Sequence, residues 1–137
     1  MKLPLDLLVG QTRQQMRRQL GEPDRTGEQL DTFFHTGLIV NYRADEVVGF
    51  TISLLVEGPR FEGKVFGIGL DSSKKQCRAL WGEPVAERVD SAVEYNSCTW
   101  RHQGYVLDLE IWRHDGQDDS FGVYHEDTVK SIKMVKE

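Results

Sequence analysis

The sequence predicts an α+β fold of two tandem helix-plus-antiparallel-sheet repeats, each a short helix followed by a three- or four-stranded meander. Three observations carry this. A twelve-residue helix signature occurs twice, 61 residues apart; runs of strand-like polarity follow each copy; and 39% hydrophobic with 28% charged residues is the balance of an ordinary folded domain. At 137 residues the chain suits one compact domain spanning 1–137, with pseudo-repeats at about 1–60 and 61–137.

The first element is Thr12-Arg-Gln-Gln-Met-Arg-Arg-Gln-Leu-Gly-Glu-Pro23, which recurs as Ser73-Lys-Lys-Gln-Cys-Arg-Ala-Leu-Trp-Gly-Glu-Pro84. Thr12 and Ser73 are hydroxyl residues suited to cap the first free N–H groups of a helix. Met16 with Leu20, and Cys77 with Trp81, lie one turn apart and mark the buried face. Gly21 and Gly82 stop each helix, and Pro23 and Pro84 prevent its continuation. Arg13 and Arg17 share a face and read as solvating the helix's exposed side.

Strands follow. His35-Thr-Gly-Leu-Ile-Val-Asn-Tyr42 matches His102-Gln-Gly-Tyr-Val-Leu-Asp-Leu109 at an offset of 67, a Gly turn joining two extended runs in each. Val47–Ile52 matches Val129–Met134 at an offset of 82, so the second copy carries insertions. The larger one is the polar turn Arg113–Asp119, then Ser120–His125, which alternates like an added strand. Residues 57–63 have the turn composition of a linker.

Alternation assigns the faces. Leu107, Leu109 and Ile111 point to a core, while Asp108 and Glu110 point away; in the first copy Val40 and Tyr42 face inward, Ile39 and Asn41 outward. Helices should cover one sheet face and leave the other open. That face would display Asp108, Glu110 and Trp112, joined by Arg101 and Thr99 if Cys98 and Trp100 face inward. Asp118 and Asp119 add carboxylates from the inserted turn. Trp112 reads either as an exposed anchor or as a side chain packed where the repeats meet.

Net charge is −5, and residues 68–137 hold 13 acidic against 9 basic side chains. An acidic field disfavours phosphate backbones and suits a basic partner, so no nucleic acid is expected. No apolar run approaches bilayer length, and the amino terminus is too polar for a signal core; neither membrane association nor export is expected, and a cytoplasmic location follows. Cys77 and Cys98 lack the spacing of a zinc site or disulfide framework and read as packing thiols. His35 and His102 sit at matching turns. His114, Asp115 and His125 could meet across the inserted hairpin, but nothing fixes a ligand geometry. No nucleophile elbow, P-loop or dinucleotide fingerprint occurs, so no catalytic residues and no cofactor are expected.

The unit Gly10-x-Thr12-x3-Met16-x3-Leu20-Gly-x-Pro23 followed by strands resembles the helix-and-sheet repeat of the SmpA/OmlA superfamily and of the β-lactamase inhibitor protein family. Phe66-Gly-Ile-Gly-Leu-Asp-Ser-Ser73 leading into Cys77-x3-Trp81-Gly-Glu-Pro84 is similar to small bacterial immunity proteins. The resemblance implies a scaffold for protein binding and transfers no residue roles. The expected function is an immunity or inhibitor protein for a bacterial toxin, Asp108, Glu110, Trp112, Arg101, Asp118 and Asp119 meeting the partner. A homo-oligomeric adaptor and a small metal-dependent hydrolase are the alternatives.

Overall fold

The computed structural model describes residues 4–53, 63–70, 72–89, 92–118 and 122–137. Two eight-residue helices, α1 (Arg13–Leu20) and α2 (Lys74–Trp81), carry the expected caps. In α1 the Thr12 hydroxyl accepts from the Gln15 N–H at 3.1 Å while the Gln15 side chain accepts from the Thr12 N–H at 2.8 Å. Ser73 and Gln76 repeat that reciprocal box at 3.1 and 2.7 Å. Gly21 and Gly82 follow with φ of 84° and 82°, and each N–H closes onto the carbonyl four residues back.

Eight strands form one antiparallel sheet in the order β1-β2-β3-β4-β10-β7-β6-β5. They are β1 (Arg25–Thr26), β2 (Leu30–Phe33), β3 (Leu38–Arg43), β4 (Glu46–Ser53), β5 (Ala86–Val89), β6 (Tyr95–His102), β7 (Tyr105–Trp112) and β10 (Val129–Lys136). The strands before residue 54 make one half and the later ones the other, joined where β4 pairs with β10. A separate hairpin of β8 (Gly116–Asp118) and β9 (Gly122–Tyr124) fills the insertion between β7 and β10. No helix among the described residues is long and apolar enough to cross a membrane.

Both helices bury their stripe on the same core. Met16, Leu20, Cys77 and Trp81 join Phe33, Leu38, Val40, Phe50, Ile52, Trp100, Leu107, Leu109, Ile132 and Met134 in a single cluster. Trp100 is fully buried, meets Trp81 edge-on at 5.5 Å, and donates its indole N–H to the carbonyl of Gly82 at 2.9 Å, so the apolar anchor of β6 also satisfies the end of α2.

Strand pairing corrects one alignment. The Gly turns place Val40 against Leu107, yet the residue with Val40's surroundings is Leu109: Val40 pairs with Phe50 and Leu109 with Ile132. The cause is turn length. Phe33 and Leu38 are joined through a 3-10 turn at Phe34–Thr36 and Gly37, whereas the β6–β7 hairpin carries pairing two residues further before closing at Gln103–Gly104.

Gly49 marks the tightest point of the β4–β10 contact, where an added Cβ would lie 2.2 Å from the Met134 carbonyl oxygen. Gly49→Ala is expected to destabilise the fold by about 2 kcal/mol or more through forced separation of the strands. A urea midpoint indistinguishable from the parent would contradict that packing.

Candidate functional site

The sheet face away from the helices is positioned by the pleat of β6, β7 and β10. Across it run three cross-strand rows: Thr51–Lys133–Asp108–Thr99, then Ser131–Glu110–Ser97–Arg88, then Val135–Val106–Arg101. Asp108 is exposed and accepts from the Thr99 hydroxyl at 2.7 Å, with Lys133 opposite it. Glu110 is half-buried; its Oε1 accepts from the Ser131 hydroxyl at 2.6 Å and from the Lys130 ammonium at 3.3 Å. Arg101 is exposed and pairs with Glu137 at 3.0 Å. Interleaved cations therefore compensate the carboxylates, and this face is not the uniformly acidic surface that the second half's composition suggested.

Trp112 is on that face but not displayed. It is 3% exposed, with Tyr124 of β9 stacked on it at 3.7 Å and an interplanar angle of 13°. Tyr124 is pinned in turn by donating its hydroxyl to Glu94 at 2.9 Å. Below, a register shift between Val129 and Ser131 drops Lys130 into the layer, its ammonium 4.8 Å from the Tyr95 ring centroid and 5.6 Å from that of Trp112. Trp112 is packed under the inserted hairpin, not at the meeting of the two halves. Gly116 lies where any side chain would strike Tyr124, its ideal Cβ falling 2.3 Å from the tyrosine oxygen.

The hairpin end is acidic. Asp115 and His125 keep 77% and 71% of their side chains exposed, and Glu126 and Asp127 are exposed beside them. Asp118 belongs to β8, its side chain outside the described residues, as is all of Asp119. His125 Nδ1 stands 3.9 Å from Asp115, and no trio of metal-ligating side chains gathers among the described residues. The side chain of His35 is likewise outside the described residues, while His102 packs edge-on against Phe66 at 5.0 Å. Both thiols are buried; desolvation holds Cys98 above its ordinary pKa and pushes Cys77 up to about 12.

A second constellation went unread in the sequence. Asp31 on β2 has no exposed side-chain surface, and its carboxylate accepts from Arg17 at 3.0 and 2.9 Å, from Thr26 at 2.7 Å and from Tyr42 at 3.0 Å. Arg17 is thus a bidentate partner and not merely a solvating charge. Arg13 donates to the carbonyls of Gly27 and Glu28 at 3.0 and 2.6 Å, with its guanidinium 4.5 Å from the Tyr42 ring centroid. A cleft of about 390 Å³ beside them is lined by Thr12, Arg13, Gln14, Arg17 and Asp45, but the guanidiniums already serve the fold. The readable signal was a basic pair one turn apart in each helix, because Lys74 and Arg78 approach Glu87 at 2.6 and 3.6 Å.

No family model matches the sequence, and no curated protein does. Among solved structures the chain is similar to a DUF4309 family protein, YjgB, from Bacillus subtilis subsp. subtilis str. 168. The TM-score is 0.50 at 14% identity, over 92% of this chain and 78% of that one, a likeness of fold alone.

Burial alone would raise the Asp31 pKa, but hydrogen bonds from Arg17, Thr26 and Tyr42 outweigh it and hold the group below its ordinary value. This stabilisation is present above the unfolded carboxylate pKa of about 4 and disappears as pH falls through the lower folded value. Asp31→Asn should cost about 3 kcal/mol at neutral pH, the low end for a broken buried pair because Arg17 remains partly solvated, and should flatten the acid limb of stability. Parallel acid limbs in parent and variant would refute it. Tyr124→Ala should accelerate proteolysis within residues 113–128 several-fold ahead of global unfolding, as followed by peptide mapping.

Proposed function

We propose that this protein is a non-catalytic binding module for a basic protein partner, acting as an immunity or inhibitor protein toward a bacterial toxin, and that it consists of two copies of one helix-and-sheet unit. Small repeated contacts support the duplication. The first helical N–H, of Arg13 or Lys74, donates to the carbonyl of Asp45 or Asp127 at 2.8 Å in both cases. Those aspartates have φ of 60° and 61°. Val47 and Val129 donate to Gln11 and Ser72, again at 2.8 Å in both. Between β4 and β10, Thr51 faces Lys133, its own counterpart at the offset of 82, while Phe50 faces Met134 and Ile52 faces Ile132. A pseudo-two-fold axis through the Thr51–Lys133 pair relates these contacts.

The feature that breaks this symmetry carries the functional reading. The β3–β4 connection is only Ala44–Asp45, whereas residues 113–128 connect β7 to β10. That connection holds Arg113 against Asp115, Asp118, Asp119, Glu126 and Asp127, four of the chain's five net negative charges, with Glu126 and Asp127 standing where the short connection has Ala44 and Asp45. The Trp112–Tyr124 stack fixes it to the sheet. The exposed carboxylates of Asp115, Glu126 and Asp127, held beside a hairpin that is stacked on the sheet, steer a basic partner and lower the ordering cost of contact. Asp108, Glu110 and Arg101 on the adjoining face supply polar contacts of mixed sign, and Trp112 acts as the hairpin's support.

The test is affinity purification with the tagged chain, followed by association kinetics with the recovered toxin-like protein. Reversing Asp115, Glu126 and Asp127 to Lys should lower the association rate at least about tenfold at low salt, with the difference shrinking as salt screens it. Rates unchanged by that triple reversal would remove the hairpin from the interface.

A further inference from the structure

We propose that the β4–β10 seam is exchangeable between chains, so that a second copy of this protein is itself a partner: residues 4–53 of one chain pair with residues 63–137 of another in the register of the monomer. The inference rests on the two-unit reading above and goes beyond it by assigning an intermolecular state.

Bonding within each half is the first support. Among the described residues, α1 is capped and latched through Thr12–Gln15, Arg17–Asp31 and Arg13–Asp45, all in the first half. The second half keeps Ser73–Gln76, Lys74–Glu87 and Trp100–Gly82 to itself. Between described residues of the two halves, backbone and side-chain hydrogen bonds lie at the seam and at the first turn, where Leu5 N–H donates to Lys64 at 3.1 Å and Phe66 N–H to Asp6 at 3.2 Å.

The seam itself is the second support. Five residue pairs from Ser53–Ser131 to Gly49–Val135 align, and the side chains meeting on its core side are Phe50 and Ile52 against Ile132 and Met134. The chain crosses between halves once, at residues 54–62. Exchange between two molecules rebuilds every seam contact with a partner's half, so the balance is governed by concentration and by the link, not by a loss of bonds.

The experiment uses the full chain with Thr51→Cys and Lys133→Cys, which places thiols at directly opposed positions. The protein is unfolded and refolded at low and high concentration, then fractionated by size and oxidised with diamide. A tenfold rise in refolding concentration should raise a minor dimer fraction about tenfold by mass action. That fraction should run as a covalent dimer on a denaturing non-reducing gel, with the mapped link joining the two engineered positions of different chains. The monomer fraction should carry the same link within one chain. Protein that refolds only to monomer at every concentration, or a dimer whose link stays within each chain, overturns the exchange. A parallel sample carries a protease site between residues 57 and 58. Nicked halves that remain folded together keep the two-unit reading when exchange fails, and nicked halves that do not stay together overturn that reading as well.

Discussion

The pairing of β4 with β10 is the constraint on which the remainder of the molecule depends. Neither half can be stable by its helix, because eight residues make only about two turns and helix nucleation is unfavourable in water. Neither has much sheet to offer alone: β1 is two residues long, and β5 is exposed along its whole length. Joining β4 to β10 places Phe50, Ile52, Ile132 and Met134 at the centre of one continuous core, with the weakest strands at its edges. A core shared in this way buries a larger fraction of surface than two cores of half the size. Gly49 is the residue that permits the approach, since the Met134 carbonyl occupies the space of its missing side chain.

Each helix must also be held at its polar side, and the two halves solve that by exchanging residues across one cross-strand pair. In the first half Thr26 faces Asp31, and the carboxylate that receives Arg17 comes from β2. In the second half Glu87 faces Cys98, and the carboxylate that receives Lys74 comes from β5. The acid has changed strands, and its closest partner on the helix has moved by one turn, from Arg17 to Lys74, the counterpart of Arg13. The environments differ accordingly: Asp31 is sealed from water, whereas Glu87 keeps 40% of its side chain exposed. A shielded bidentate pair contributes substantially, while a pair open to solvent adds little beyond orientation. The thiol of Cys98 fits beneath Glu87 at 3.8 Å, a weak contact where the first half has a charged one.

How far the molecule was legible in its sequence follows from the range of the interactions. Helix caps were readable because Thr12 with Gln15 and Ser73 with Gln76 act over three residues, with glycine and proline supplying the stops. The facing of β7 was readable because alternation of Leu107, Leu109 and Ile111 with Asp108 and Glu110 is a local pattern. The alignment of Val40 with Leu109 was not, because a shared Gly turn hides two residues of extra pairing in the β6–β7 hairpin. Arg17 was assigned to water because its carboxylate lies 14 residues on, beyond any helical spacing. Trp112 was legible in direction, and its burial was one of the two readings, but what covers it was not, since Tyr124 arrives through an insertion whose path no periodicity records.

The proposed duplication also constrains where the proposed specificity can reside. Contacts that both halves share, such as the bonds from Arg13 to Asp45 and from Lys74 to Asp127, serve folding in each half and cannot distinguish one partner from another. Discrimination needs something present once. Residues 113–125 meet that condition, and they do so next to Trp112, whose position on β7 lets one stacked tyrosine hold β9 to the sheet. Lys130 reinforces the arrangement from below, because a single extra residue in β10 turns a cation into the aromatic layer and against Glu110. The insertion thereby comes with the exposed carboxylates of Asp115, Glu126 and Asp127 while the buried cation beneath it, Lys130, stays paired with Glu110. An insertion lacking that base would present the same carboxylates on a chain that must be ordered at binding, with a corresponding loss of affinity.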